Sequence, residues 1–340
     1  MINPFRHGST LRAASAPVAP RENPPVVDVD DGVVRVSLSS LLALHHAAES
    51  LPLKPGRIRS QSSGAYQSAF KGRGMEFDEV RPYMPGDDAR TLDWRVTART
   101  GKPHTKLFRE ERERAVLLWV DLRSPMFFAT RGAFKAVRAA QAAAMLAWSA
   151  THQGDRLGAL IFNEDEHIEL RPRRGKLALL GTLKQLAAPQ MWQTRLSQTH
   201  KTRTPETSGT DALNSALSRL RRVAQPGSLI VLLSDFSGLD EQGSAHLAQL
   251  ARHNDMILAD IHDPLEAELP PPGRYRVSDG NNNLAMDTAA RDLRTRYQQR
   301  FAARQAELQQ LCRRHHMNLL RLSTADSPLA GLQRGLGVRA

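Results

Sequence analysis

Cysteine is almost absent from this chain: Cys312 is the only one among 340 residues. That excludes an internal disulfide and any zinc site built on cysteines, and it suits a reducing compartment. Aromatic residues make up only 5%, which argues against the stacking platforms that hold single-stranded nucleic acid. No window approaches the roughly twenty apolar residues that span a bilayer. The N-terminal segment, with Arg6, Arg12 and scattered Ala and Pro, lacks the apolar run of a signal peptide. The expected location is the cytoplasm, with no transmembrane segment. No internal repeat stands out.

What is present is a large core and an excess of positive charge. With 41% apolar residues the chain can bury a sizeable interior, and its length suits one large domain plus an accessory region. Forty-seven Lys and Arg against thirty-five Asp and Glu give +12, a charge that attracts phosphate polymers, anionic lipids or an acidic protein partner.

Residues 1–30 mix Pro, Ala, Ser, Arg and Asp without apolar periodicity and read as a flexible tail. Leu38, Leu41, Leu42, Leu44 and Ala48 then recur at helical spacing before Pro52 and Pro55, which predicts a short amphipathic helix. It opens a region, 31–114, whose remainder is rich in Gly, Ser and turn signals, with extended candidates near Phe77–Val80 and Thr105–Phe108. From residue 115 to 340 the texture changes. Ala115–Val120, Leu157–Phe162, Leu229–Leu233, Met256–Ile261 and Met317–Leu322 read as buried strands, with His167–Leu170 as an edge. Amphipathic helices alternate with them, one opening near Ser208 or Thr210, and a basic one runs from about Asp287 to His315 after a small hairpin. Strands alternating with helices predict an α/β, doubly wound, mostly parallel sheet covered on both faces, with a small N-terminal β-containing region.

Ligand sites in open α/β sheets lie just beyond the carboxyl ends of the strands. Asp121 ends the first strand, Asp235 closes Leu-Leu-Ser-Asp, and Thr210 stands where a helix is expected to open. Two carboxylates and a hydroxyl on one edge are hard oxygen ligands of the kind magnesium accepts. The densest motif lies earlier, from Gly74 to Arg99. Arg81, Arg90 and Arg99 can pair with Glu76, Asp87, Asp88 and Asp93, which suggests a clamp around the Pro85-Gly86 turn, held against Tyr83 and Trp94. Its arginines would keep the carboxylates ionised, and no nucleophile stands nearby, so catalysis is not expected there.

Two resemblances follow from these residues. Asp121, the Gly-Thr pair ending in Thr210, and Asp235 resemble the von Willebrand factor A fold, whose metal-ion-dependent adhesion site is written Asp-x-Ser-x-Ser, then Thr, then Asp. Here Asp121-Leu122-Arg123-Ser124-Pro125 puts Arg123 and Pro125 in the two serine positions and Ser124 out of register, so a guanidinium is offered in place of a cation. Gly74, Glu76, Phe77, Arg81, Tyr83, Gly86, Asp87, Asp88, Arg90, Asp93, Trp94, Ala98 and Arg99 together resemble the signature of the bacterial domain-of-unknown-function family 58. That family joins the signature to a von Willebrand A-like domain, and Asp263-Pro264-Leu265-Glu266 is also similar to it. The resemblance implies a MoxR-type AAA+ ATPase as partner, acting on client proteins. Many family members carry a membrane anchor, for which no window of this sequence is apolar enough.

The combined expectation is a non-enzymatic adaptor that presents the strand-end edge at Asp121, Arg123, Ser124, Thr210 and Asp235 to its partner, with magnesium at Asp121, Thr210 and Asp235 the only cofactor candidate. The rival readings are a nucleic-acid-binding protein and a metal-dependent adhesion module. Arg99, Lys102, His104, Lys106 and Arg109 form one basic segment, and Arg291, Arg294, Arg296, Arg300, Arg304, Arg313 and Arg314 load the late helix. Gly72-Arg73-Gly74 lacks the context of a phosphate loop. The pairs His45-His46 and His315-His316 are adjacent on helical patterns, where neighbours point about 100° apart, so neither is expected to ligate a metal.

Overall fold

The computed structural model describes residues 32–53, 75–84, 87–110, 114–188, 190, 192, 205–278 and 283–337. The chain enters through two short helices, α1 (Leu38–Ala43) and α2 (His45–Ala48), where the sequence suggests one. Ser37 starts α1 with a capping box: its hydroxyl accepts from Ser40 N at 3.1 Å while Ser40 Oγ accepts from Ser37 N. Next come β1 (Met75–Pro82), α3 (Trp94–Thr100) and β2 (His104–Glu110). β1 and β2 pair antiparallel, with a register shift between Phe77 and Glu79. α3 crosses between them and stops at Gly101, whose φ of 71° favours glycine.

The remaining elements are β3 (Ala115–Asp121), α4 (Lys135–His152), β4 (Arg156–Phe162), β5 (His167–Arg173), α5 (Lys176–Leu186), α6 (Pro205–Val223), β6 (Leu229–Ser234), α7 (Glu241–Ala251), β7 (Asp255–His262), α8 (Pro264–Ala267), β8 (Arg274–Ser278), β9 (Asn283–Asp287), α9 (Arg291–Arg314), β10 (Asn318–Ser323) and α10 (Pro328–Gly335). One six-stranded sheet has the order β10-β7-β6-β3-β4-β5. All its neighbours run parallel except β5, which returns antiparallel along β4. β8 and β9 form the small hairpin expected after the proline run.

Because side chains alternate along a strand, β3 feeds two apolar layers. Val116, Leu118 and Val120 join α1, α4 and α5 on one face, and Leu117 and Trp119 join α6 and α7 on the other. This is the doubly wound, mostly parallel sheet with helices on both faces, consistent with the von Willebrand A-like expectation. No helix among the described residues is long and apolar enough to cross a membrane.

Four boundaries differ from the sequence reading. Residues 36–53 belong to the core of the sheet domain: Leu41, Leu51 and Leu53 are fully buried, Ser149 Oγ donates to Leu51 O at 2.6 Å, and Arg114 donates to Leu53 O. α6 begins at Pro205, so Thr210 lies inside the helix instead of at its cap. α9 begins at Arg291 and buries only Gln305, Leu308 and Cys312, all in its second half. α10 was not anticipated, being short and glycine-bearing; a Cβ on Gly331 would collide with Leu322, so glycine lets it close on β10. Cys312 is 2% exposed, and burial together with Asp260 pushes its thiol up to about 12, which makes it unreactive.

Candidate functional site

The chain passes from β3 to β4 on one side of the sheet and returns at β6 on the other, so the strand order reverses between β3 and β6. Crevices at such switch points are where open α/β sheets place their sites. Asp121 closes β3 and Asp235 follows β6, so both carboxylates arrive there. They are 0% and 1% exposed.

Arg123, itself 1% exposed, fills the space between them. Its Nε and Nη2 donate to Asp121 at 3.0 and 2.6 Å, and its Nη1 donates to the carbonyls of Gly209 and Ser237 at 2.8 and 3.1 Å. Ser234 Oγ also donates to Asp121 Oδ2 at 2.6 Å. On the far side, Lys135 Nζ stands 2.7 Å from both Asp235 Oδ2 and Glu266 Oε1. Burial opposes both cations, but their carboxylates outweigh it and hold the pKa of Arg123 and Lys135 above the ordinary values. Burial likewise opposes the charge on Asp235, yet Lys135, the Ser237 N–H and Arg123 hold its carboxyl below the usual range.

The network continues through a second acid. Glu266 Oε2 accepts from Asp263 N at 3.0 Å, and Asp263 accepts from Thr130 N and Oγ1, Leu265 N and Thr324 Oγ1 at 2.6 to 2.9 Å. Three loops, after β3, β7 and β10, meet on this one carboxylate. Gly132, at φ 75°, lets the first of them pass against the Thr324 carbonyl, where a Cβ would clash.

A divalent cation does not fit this arrangement. The oxygens of Asp121 face a guanidinium and a hydroxyl, and those of Asp235 face Lys135 and Ser237, whose N–H and Oγ donate to Oδ1 at 3.0 and 2.9 Å. The predicted site is therefore brought together but closed. Asp121 and Asp235 lie beneath the surface, out of a partner's reach, contrary to the expectation that they present to one. Ser124 is exposed, its N–H donating to Glu164 Oε1 at 2.8 Å. Thr210 is half-buried on α6, close against Gly238.

Lys135 escaped the sequence reading, and Glu266 entered it only within the Asp263-Pro264-Leu265-Glu266 resemblance, not as a partner of the strand-end acids. A lysine in the first turn of a helix normally reads as solvated; the available signal was its place on the apolar stripe of α4, in line with Ala139 and Ala142. For Glu266 it was the Asp-Pro-x-Glu capping box of α8.

The signature region divides in two. Arg81 Nη2 donates to Asp87 Oδ1 at 2.7 Å, Asp87 Oδ2 accepts from Met84 N at 2.9 Å, and Tyr83 Oη donates to Asp87 O. The Met84 N–H and Arg81 hold the Asp87 carboxyl below its ordinary value. Asp88 accepts from Arg90 N, and Asp93 caps α3 by accepting from Arg95 N and Val96 N. The other half faces solvent. Trp94 is 71% exposed and Met84 63%. Arg90, Arg95 and Arg99 are exposed, and among the described residues Arg90 and Arg99 have no ion pair.

The expected clamp of three arginines is thus, among the described residues, one arginine, and Trp94 is left exposed; Pro85 lies outside the described residues. The contacts of β1, α3 and β2 are chiefly with one another, so the motif braces its own hairpin instead of fixing it to the sheet. Gly74, Gly86 and the Gly72-Arg73-Gly74 stretch lie outside the described residues, while Glu76 and Phe77 pair with Arg109 and Phe108 across β1 and β2.

A family model described as "Protein of unknown function DUF58" matches residues 79–307, more than half of the chain. The chain belongs to the DUF58 family. An uncharacterized protein of Mycobacterium bovis is 30% identical over 317 residues, 92% of each chain, and an uncharacterized protein of Mycobacterium tuberculosis matches equally. Among solved structures, the conserved hypothetical protein BatB of Bacteroides thetaiotaomicron is 13% identical over 66% of this chain and 97% of its own, with a TM-score of 0.42. An aerotolerance-related membrane protein of Bacteroides fragilis is 11% identical over 66% of this chain and 100% of its own, with a TM-score of 0.40. The DUF58 match takes in α3 and the strand-end residues Asp121, Arg123, Lys135, Asp235, Asp263 and Glu266, and it excludes α1, α2, β10 and Thr324.

Proposed function

We propose that this DUF58 chain is a non-enzymatic adaptor that binds a MoxR-type AAA+ ATPase through the exposed face of α3. The carrying observation is Trp94, 71% exposed within a signature whose acids Asp87, Asp88 and Asp93 are turned to structural work. A large aromatic left in water beside three exposed arginines is the composition of an interface hot spot. Arg95 and Arg99 lie one turn apart on α3, so the matching surface on the ATPase is an acidic segment. The non-enzymatic part is supported by the switch point, where Asp121 is held by Arg123 and Asp235 by Lys135.

The test is binding of the purified chain to the MoxR-type ATPase of the same bacterium. Trp94→Ala with Arg99→Ala is expected to weaken binding about tenfold or more, with the thermal midpoint unchanged, and affinity should fall with salt. Undiminished binding by that double variant would rule this face out. The nucleic-acid reading is favoured by the exposed Arg291, Arg296, Arg300, Arg313 and Arg314 of α9. It predicts retardation of DNA or RNA at low salt that is lost on charge reversal there.

The adhesion-module reading requires a cation at Asp121. Because Arg123 and Lys135 already neutralise that site, excess Mg2+ is expected to leave the thermal midpoint of the wild-type chain unmoved. A magnesium-dependent rise would show that the guanidinium yields to the metal.

A further inference from the structure

Outside the matched span, on the short helix α2, three ligating side chains converge. His45 Nε2 and His46 Nδ1 approach the same oxygen, Glu49 Oε1, at 3.7 and 3.9 Å. All three ligand atoms lie within 4.8 Å of one another. Adjacent histidines on an ideal helix diverge, but here the two rings stand 3.9 Å apart at 54°. The departure from the sequence expectation has a local cause: α1 ends at Ala43, and His45 and His46 occupy the first turn of a helix only four residues long.

His45 is also the anchored member of the group. Its ring lies 5.3 Å from Trp148 and 6.1 Å, edge-on, from His152, both on α4. His46 and Glu49 are open to solvent, with side chains 82% and 59% exposed, so an ion has free entry.

The geometry points to a transition-metal site made by His45, His46 and Glu49, taking Zn2+ or a similar borderline ion. Metal bonds of about 2.0–2.2 Å to imidazole and carboxylate place tetrahedral ligand atoms about 3.3 Å apart. The existing separations, 3.7 and 3.9 Å to the carboxylate and no more than 4.8 Å between any two ligand atoms, lie a little above that value. Two imidazoles and one carboxylate suit Zn2+, Ni2+ or Cu2+, whereas Mg2+ and Ca2+ require an all-oxygen shell. The remaining position takes water or, from the neighbouring helix, His152. Ligands from positions 45, 46 and 49 close a single turn, so the ion stabilises α2 itself, and with His152 as fourth ligand it ties α2 to α4. The site stands apart from α3 and does not depend on the adaptor reading.

The experiment titrates Zn2+, and Co2+ as its coloured substitute, into the untagged, metal-stripped full chain by calorimetry and visible absorption. One bound ion per chain is expected, with a raised thermal midpoint. His45→Ala and Glu49→Gln should each weaken it about tenfold or more. His46→Ala removes a ligand from an exposed position with no loss of core packing, so it reports on the site even if His45→Ala disturbs the fold. His315→Ala with His316→Ala is expected to change nothing. Absence of Zn2+ binding, equal binding by the His46→Ala and Glu49→Gln variants, or loss on changing the His315-His316 pair would each overturn the assignment.

Discussion

Replacing Arg123 with Ala is expected to destabilise the protein by roughly 3–5 kcal/mol, the range found when one partner of a buried ion pair is removed. The loss is large because three different groups depend on this side chain. Asp121, fully buried, keeps only Ser234 Oγ and the residue-123 N–H as donors. The carbonyls of Gly209 and Ser237 lose theirs as well. Arg123→Lys should recover only part of the stability, because a single ammonium cannot reproduce a fork that spans a carboxylate and two carbonyls. Urea unfolding at neutral pH measures both, and a cost near zero for Arg123→Ala would mean that Asp121 and the two carbonyls do not depend on the guanidinium. Acid supplies an independent check through Asp235. Its folded pKa is depressed below 3.8, so its contribution is fully present above that value and disappears as pH falls through the lower folded value.

How much of this was legible beforehand depends on which groups are apolar. β3, β4, β6 and β7 were readable as unbroken apolar runs because a central parallel strand is buried on both faces, and their order then placed Asp121 and Asp235 at the switch point. Arg123 was legible as a substitution in a motif, though not as a side chain that also gathers Gly209 and Ser237 from residues 86 and 114 positions away. Lys135 was not legible, since local sequence cannot show that a helix's first turn points at two acids 100 and 131 residues distant. Trp94 was misread for a different reason. Aromatics beside Pro-Gly turns usually pack on them, but Asp93 caps α3 so that Val96 and Thr97 take its inner face and Trp94 is left outside. The same limit applies to His45 and His46, whose convergence depends on a break at Leu44 that no residue in the apolar pattern announces.

Asp263 carries the second large effect. Asp263→Ala should cost about 2–4 kcal/mol, because several donors lose their acceptor in a fully buried place and each unsatisfied group costs about 1–3 kcal/mol. Asp263→Asn is expected to cost nearly as much, and the reason is geometric. Oδ2 accepts from the backbone N–H of Thr130, and Oδ1 accepts from the backbone N–H of Leu265. Whichever oxygen becomes an amide NH2 then confronts a main-chain donor that cannot rotate away, whereas the hydroxyls of Thr130 and Thr324 can turn. Thr324→Val removes one donor along with its demand and should be mild. Asn at position 263 as stable as Asp would show that the carboxylate's charge and double acceptance are dispensable. The sign with pH follows the same chemistry: burial raises the Asp263 carboxyl, its threonine and backbone donors outweigh that, and the lowered folded pKa makes its contribution vanish as the medium is acidified below 3.8. Because this carboxylate joins the loops after β3, β7 and β10, while Glu266 hands the same turn on to Lys135, loosening Asp263 should also loosen the strand-end ion pairs. Asp263→Asn and Lys135→Met are therefore expected to cost less together than the sum of their separate losses.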